Sequence, residues 1–303
     1  MLPALTEPQV HSGRVMGCSL HLVVVDGERS LPERIVDRLV ELESSWSRFV
    51  ASSEISRLNQ QQGKALPVSA GTIRLVESMM IAHCETEGLF DPTLVVPVVE
   101  VGYGASLVDP MLKTVVTVDL DRRGRTDAIT IDRTRGTVCL PVGTALDPGG
   151  IGKGLAADLI VEEFVGTECR GLLVSIGGDV VVSGDSPTGD GWVISVLDPT
   201  SSHEVDRIHL MRGAVATSST ERRVFERGHH LIDPATLAST SSNVRGATVV
   251  AGSGMWAEVL TKPLMIEGVT RLDALEARGL PACVTTMSGR HMNERWTSVA
   301  SSR

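Results

Sequence analysis

The segment Leu146-Asp147-Pro148-Gly149-Gly150-Ile151-Gly152-Lys153-Gly154 sets glycines beside a carboxylate and an ammonium. Glycines let a backbone approach a ligand closely, and the free N–H groups of a helix start favour an anion. Lys153 would add a positive point charge. The run is not a P-loop, because Asp147 stands where the first glycine is needed and Gly154 where Ser or Thr is needed. It is not a GxGxxG fingerprint either, since Leu155 takes the last glycine position. A phosphate-binding turn and a tight turn with a solvated lysine stay equally open on spacing alone. Ile176-Gly177-Gly178-Asp179 offers a second close approach, with Asp179 able to orient a ligand, although a plain hairpin turn explains it as well. Ala216-Thr217-Ser218-Ser219-Thr220-Glu221-Arg222-Arg223 supplies hydroxyls and two guanidiniums. His229-His230-Leu231-Ile232-Asp233-Pro234 places histidine near a carboxylate. These types could serve phosphoryl chemistry, though a single histidine is more often structural. Glu258 and Lys262, four residues apart, share a helix face. They form either a surface ion pair of roughly a few tenths of a kcal/mol or a carboxylate aimed at a cation or phosphate.

The elements that must position these groups follow from periodicity. Ile35, Leu39, Leu42, Trp46 and Phe49 recur at spacings of three and four, which predicts a helix over residues 31–49. Ser69 is the expected N-cap of a helix running to His83. Short β-rich runs occupy residues 115–140, with turns at Asp121–Gly124 and Arg135-Gly136. The glycine turn leads into a helix over 155–165. Strands are expected at 19–25, 172–176, 180–183, 192–197 and 247–251, and helices at 255–266 and 272–278. Strands and helices mix without strict βαβ alternation, which predicts an α+β fold of largely antiparallel sheets flanked by helices. The loops at 184–191 and 236–245 do not read as linkers, so one domain over 1–303 is expected, with residues 1–14 a flexible N-terminus.

Composition excludes several function classes. The chain has 303 residues, 42% of them hydrophobic, which is enough for a substantial core. Aromatics are only 3%, so the core must be aliphatic and a flat ligand would find few rings to stack on. No apolar run nears the ~20 residues of a membrane helix; the best, residues 94–99, is short and holds Pro97. A net charge of −9 without a dense Lys/Arg patch argues against nucleic acid as partner. The five cysteines are scattered without a CxxC pair, so neither a zinc site nor a disulfide framework is suggested, and a reducing cytoplasm suits them. Val15-Met16-Gly17-Cys18 imitates a lipoprotein cleavage box, but Thr6, Glu7, Gln9, His11 and Arg14 precede it instead of an apolar stretch. A cytoplasmic protein without membrane insertion is expected.

The order of the short motifs carries more than any one of them. Met16-Gly17, the Trp46-Ser47-Arg48-Phe49 to Asn59 stretch and Phe90-Asp91-Pro92-Thr93 come first. Gly149–Gly154 with Asp158, Gly177-Gly178-Asp179, and Trp192 with Asp198-Pro199 follow. Ala216-Thr217-Ser218, His230–Pro234 and residues 255–262 complete the series. In this order the sequence resembles the bacterial ApbE family, flavin transferases that move FMN from FAD onto a protein. The likeness spans residues 15–270.

The resemblance implies that a Thr or Ser hydroxyl of an acceptor flavoprotein attacks the FMN-side phosphorus of FAD, and AMP leaves. It maps a dinucleotide pocket to Met16, Phe49, Asp91, Pro92, Thr93, Asp147, Lys153 and Ile232, with Gly177, Gly178, Asp179 and Thr217 in the neighbouring motifs. His230 is the expected proton-transfer or positioning residue. The family's Mg²⁺ would be held by the Gly150 carbonyl and by an Asp and a Thr on the later helix. Here Glu258 takes the Asp position and Lys262 the Thr position, while Thr261 is one residue early and about 100° round the helix. One expectation is that the Lys262 ammonium, held by Glu258, partly replaces the metal; retained Mg²⁺ binding is the other. A hydrolase splitting FAD to FMN and AMP, and a flavin carrier without chemistry, are the competing functions.

Overall fold

Leu20, Leu22, Val24 and Val25 are buried on the strand Cys18–Val25, and this apolar alternation seats it in a large sheet. The computed structural model describes residues 7–117 and 119–301. Contacts within the chain divide it into two compact units. The first takes the chain up to Val40, then Lys153–Ser219, then Asn243 onward; the second takes Glu41–Gly152 and Thr220–Ser242. The units interleave along the sequence, so no linker could have marked them.

The helices, in chain order, are α1 (Leu31–Trp46), α2 (Glu54–Gln60), α3 (Ala70–Glu85), α4 (Val95–Glu100), α5 (Gly152–Phe164), α6 (Gly254–Glu267), α7 (Leu272–Ala277) and α8 (Glu294–Val299). Ser69 caps α3 as expected, accepting from the Thr72 N–H. The stripe Leu31, Ile35, Leu39, Leu42 and Trp46 is buried on α1. That helix stops three residues short of the expected Phe49. Ser53 and Ser56 hydroxyls donate to the Ser47 carbonyl at 2.6 and 3.3 Å, satisfying backbone that a longer helix would have used.

The first unit is built on an eight-stranded sheet that is antiparallel throughout. Its strand order is Gln9–Val15, Cys18–Val25, Gly171–Ile176, Asp179–Gly184, Gly213–Ser219, Val244–Ala251, Ala282–Thr286 and Gly289–Met292. The α+β class with largely antiparallel sheets is therefore found. Residues 9–14, expected to be part of a loose N-terminus, lie in a strand paired from Gln9 to Val15 with the next; residues 1–6 of that expectation fall outside the described residues. A smaller sheet joins Ala300–Ser301, Glu204–Leu210 and Trp192–Leu197. Trp192, Ile194 and Val196 alternate inward from it into a core with Val182, Val215, Val250 and Trp296. The second unit holds short two- and three-stranded sheets and a small apolar cluster of Leu94, Val98, Val101 and Ile232.

Candidate active site

Two helix starts in the first unit meet backbone to backbone. A Cβ on Gly154 would lie 2.2 Å from the Gly254 carbonyl oxygen, and one on Gly254 would lie 2.7 Å from the Gly154 oxygen, so only glycine fits either position. Each helix then caps the other. Glu258, one turn into α6, accepts from the Gly154 N–H at 2.8 Å. Asp158, one turn into α5, accepts from the N–H groups of Gly254 at 2.6 Å and Met255 at 2.8 Å. Unsatisfied N–H groups and the positive end of the helix dipole draw a carboxylate to each start.

That arrangement fixes Glu258 beside Lys153. Lys153 Nζ binds the Glu258 carboxylate and lies 3.1 Å from Asp179 Oδ2. Asp179 Oδ1 accepts from the Thr217 N–H at 3.1 Å, and Thr217 Oγ1 pairs with Thr248 Oγ1 at 3.0 Å. Lys262 Nζ donates to the Glu258 carbonyl at 2.8 Å and to Ser218 Oγ and Thr261 Oγ1 at 3.3 Å each. Two ammoniums thus face two buried carboxylates. Burial pushes Asp179 above the usual carboxylate range, and Lys153 only partly offsets this. Burial acts on Glu258 the same way, but Lys153, Lys262 and the Gly154 N–H outweigh it and hold Glu258 low.

Both hairpins beside this cluster use mirrored turns. Gly177 (φ 66°) and Gly178 (φ 95°) link Ile176 to Asp179, so the turn is a hairpin, and it sets Asp179 beside Lys153. A Cβ on Gly177 would sit 3.1 Å from Cys18 Sγ and 3.7 Å from Lys153 Cδ. Met16 (φ 51°) and Gly17 (φ 69°) make the corresponding turn between Val15 and Cys18. Methionine in the left-handed region is an uncommon, strained choice.

In the second unit, Arg48 is 4% exposed and organises a polar and aromatic cluster. Its Nε lies 3.1 Å from Asp147 Oδ2, Nη2 donates to the Tyr103 carbonyl at 2.9 Å, and Nη1 donates to Thr114 Oγ1. The guanidinium lies 4.2 Å from the Phe49 ring centre and 4.7 Å from that of Tyr103. Tyr103 in turn stacks on Phe225 at 5.1 Å. Asp147 accepts from the Gly149 N–H at 2.9 Å, which shapes the turn Pro148–Gly150. The Asp147 N–H donates to the Pro92 carbonyl at 2.8 Å. Asp91 accepts from the Thr93 N–H and hydroxyl and binds Arg123 at 2.7 Å. Ile232 is a buried member of the apolar cluster with Leu94, Val98 and Val101. His229 accepts from the Leu231 N–H at 3.3 Å and pairs through Nε2 with the Thr240 carbonyl at 3.2 Å. His230 stands half-buried in the link between the strands Gly228–His229 and Ile232–Asp233.

Of the residues expected to bind a cofactor, Lys153, Gly177, Asp179 and Thr217 come together in the first unit, with Glu258 and Lys262. Gly178 completes the turn beside them, and Met16 occupies the neighbouring turn. Phe49, Asp91, Pro92, Thr93 and Asp147 come together in the second unit. The expected link between Lys262 and Glu258 needs revising: the Glu258 carboxylate is held by Lys153 and the Gly154 N–H, and Lys262 binds the Glu258 carbonyl. Arg48, Asp158 and Ser218, which the motifs contained without a role of their own, belong to these clusters, as does Tyr103. An arginine directly after an amphipathic helix and next to a phenylalanine was the available signal for Arg48.

The residues do not fit Mg²⁺. That ion takes near-octahedral oxygens at about 2.0–2.1 Å. Thr261 is fully buried, and its hydroxyl donates to the Glu258 carbonyl at 2.7 Å and lies 2.6 Å from Ser218 Oγ. Lys262 brings an ammonium to the position where a hydroxyl ligand was expected. Gly150 sits half-buried in the 148–150 turn and would offer only a carbonyl. Among the described residues no group of three or more His, Cys, Asp or Glu side chains is placed to hold a metal.

The comparisons agree with the motif order. The ApbE family model matches residues 16–284. The FAD:protein FMN transferase of Vibrio cholerae is 28% identical over 290 residues, covering 90% of this chain and 86% of that protein. The protein of that name from Haemophilus influenzae is 26% identical over 283 residues, covering 85% and 80%. The crystal structure of an ApbE protein from Thermotoga maritima superposes with a TM-score of 0.82 at 24% identity, covering 96% of this chain and 99% of that one. With its family motifs spread over both units and a fold shared along almost its full length, the chain belongs to the ApbE family.

Proposed function

We propose that the chain is an FAD:protein FMN transferase. The observation that carries this reading is the Lys153–Asp179–Glu258–Lys262 cluster at the start of α5, within a chain matched to the family over residues 16–284. The Lys153 and Lys262 ammoniums, on α5 and α6, offer hydrogen-bond donors for a pyrophosphate. In the reaction, an acceptor Thr or Ser oxygen bonds to the FMN-side phosphorus as the phosphorus–oxygen bond to AMP breaks. The hydroxyl proton passes to a base, the role we propose for His230. AMP leaves, and FMN stays on the acceptor as a phosphodiester. Magnesium is left out of this scheme because the donor set does not suit it. We further propose a cytoplasmic location, where the five cysteine thiols would stay reduced.

The test incubates purified chain with FAD and a Thr-bearing acceptor flavoprotein. Transfer predicts FMN on the acceptor together with free AMP. FMN and AMP beside an unmodified acceptor would instead identify a hydrolase. Bound flavin without any AMP would identify a carrier.

A further inference from the structure

We infer that the Lys262 ammonium is the cation of this site, so that the chain binds and uses FAD without a divalent metal. The inference rests on the flavin-transferase reading and concerns the same cluster. Three oxygens converge on Lys262 Nζ: the Glu258 carbonyl at 2.8 Å, and Ser218 Oγ and Thr261 Oγ1 at 3.3 Å each. These are lengths at which an ammonium is bonded, far beyond the roughly 2.0–2.1 Å of a magnesium–oxygen bond. The oxygens themselves are ordered by one another. Thr261 donates to the Glu258 carbonyl at 2.7 Å and so accepts from Ser218 at 2.6 Å. Pro263 follows directly and removes an N–H from the α6 ladder, in the same turn whose Glu258 carbonyl takes two side-chain donors.

Charge balance points the same way. Lys153 and Lys262 offset Asp179 and Glu258, and the third carboxylate of the joint, Asp158, is taken up by the Gly254 and Met255 N–H groups. The Glu258 carboxylate, the group a metal would require, is bound by Lys153 and by the Gly154 N–H. An arriving pyrophosphate therefore meets two ammoniums that are already in place.

The test measures FAD binding by flavin fluorescence, and separately AMP release with an acceptor, each in EDTA and in millimolar Mg²⁺. The unmodified chain, Lys262→Met and Lys262→Thr are compared, with a melting temperature for each. The unmodified chain is expected to bind FAD alike in both conditions. Lys262→Met should lose about tenfold or more in FAD affinity, the loss expected for one charge-assisted hydrogen bond. Lys262→Thr should bind weakly in EDTA and recover with Mg²⁺. FAD binding by the unmodified chain only with Mg²⁺, or undiminished binding by Lys262→Met, overturns the inference. Should Lys262→Met fail to fold, the EDTA comparison on the unmodified chain decides alone. Absence of AMP in every condition would sink the transferase reading, while the binding comparison still judges the cation.

Discussion

Lys153 balances two buried carboxylates, and its loss would be felt in both stability and binding. Replacing it with Met should destabilise the chain by about 3–5 kcal/mol, because Asp179 and Glu258 would face each other with one cation fewer. FAD affinity should fall further in Lys153→Met than in Tyr103→Ala, measured by fluorescence titration on whichever fraction is folded. The reverse order would move the ligand's main contacts from phosphate to ring. His229 carries a second prediction. Burial holds its imidazole below the usual histidine range, although the Thr240 carbonyl and Glu221 oppose this. The folded state therefore binds that proton less readily than the unfolded chain. Its stabilising contribution is complete above the ordinary histidine range and is lost as pH falls through that range toward the lower folded value. Melting temperature should decline on acidification across this window, and His229→Gln should flatten the decline. Sequence reasoning could place the His229-His230 pair near chemistry, but the backbone partners of His229, the Thr240 carbonyl and the Leu231 N–H, come only from the fold.

At the scale of elements, the meeting of α5 and α6 is the least forgiving contact. Gly154→Ala should cost about 3 kcal/mol or more, since the new methyl has only backbone around it. Gly252→Ala, with nothing within 4 Å of its Cβ, should be nearly neutral. Urea denaturation with an unchanged slope would verify the contrast. Several elements were legible in advance: the α1 stripe, the Ser69 cap, the glycine turn and the strand 192–197 all announced themselves by period or cap chemistry. The strand Gly213–Ser219 did not. It lies between Asp179–Gly184 and Val244–Ala251, and its residues 213–216 are buried without alternation, so small side chains replace the in–out pattern. Its Thr-Ser-Ser end consequently read as reactive hydroxyls rather than as a strand. The approach of Gly154 to Gly254, and the capping of each helix by a carboxylate of the other, were illegible for another reason. The partners sit 96 to 104 residues apart, and nothing local links them.

Across the whole molecule, scarce aromatics are concentrated rather than spread. Three of the five Phe and Tyr rings gather around Arg48 in the second unit, and Trp192 and Trp296 fill the core of the first. The net charge of −9 acts at longer range than any single lysine. It repels an anionic dinucleotide at a distance, while Lys153 and Lys262 attract it close by. Raising salt shortens both fields, and the long-range one fades first. Stopped-flow measurement should therefore find FAD association accelerating modestly as salt rises, with dissociation accelerating as well. A falling association rate would mean that the local positive field dominates the approach.

The reciprocal caps also carry a thermodynamic consequence. Glu258 at once closes the start of α5 and engages Lys153, so whatever is bound at Lys153 is linked to the joint that holds two helices together. Occupancy by a phosphate ligand becomes resistance to unfolding, rising with the logarithm of ligand concentration above its dissociation constant. A thermal shift with FAD would then read the site and the tertiary structure as one equilibrium.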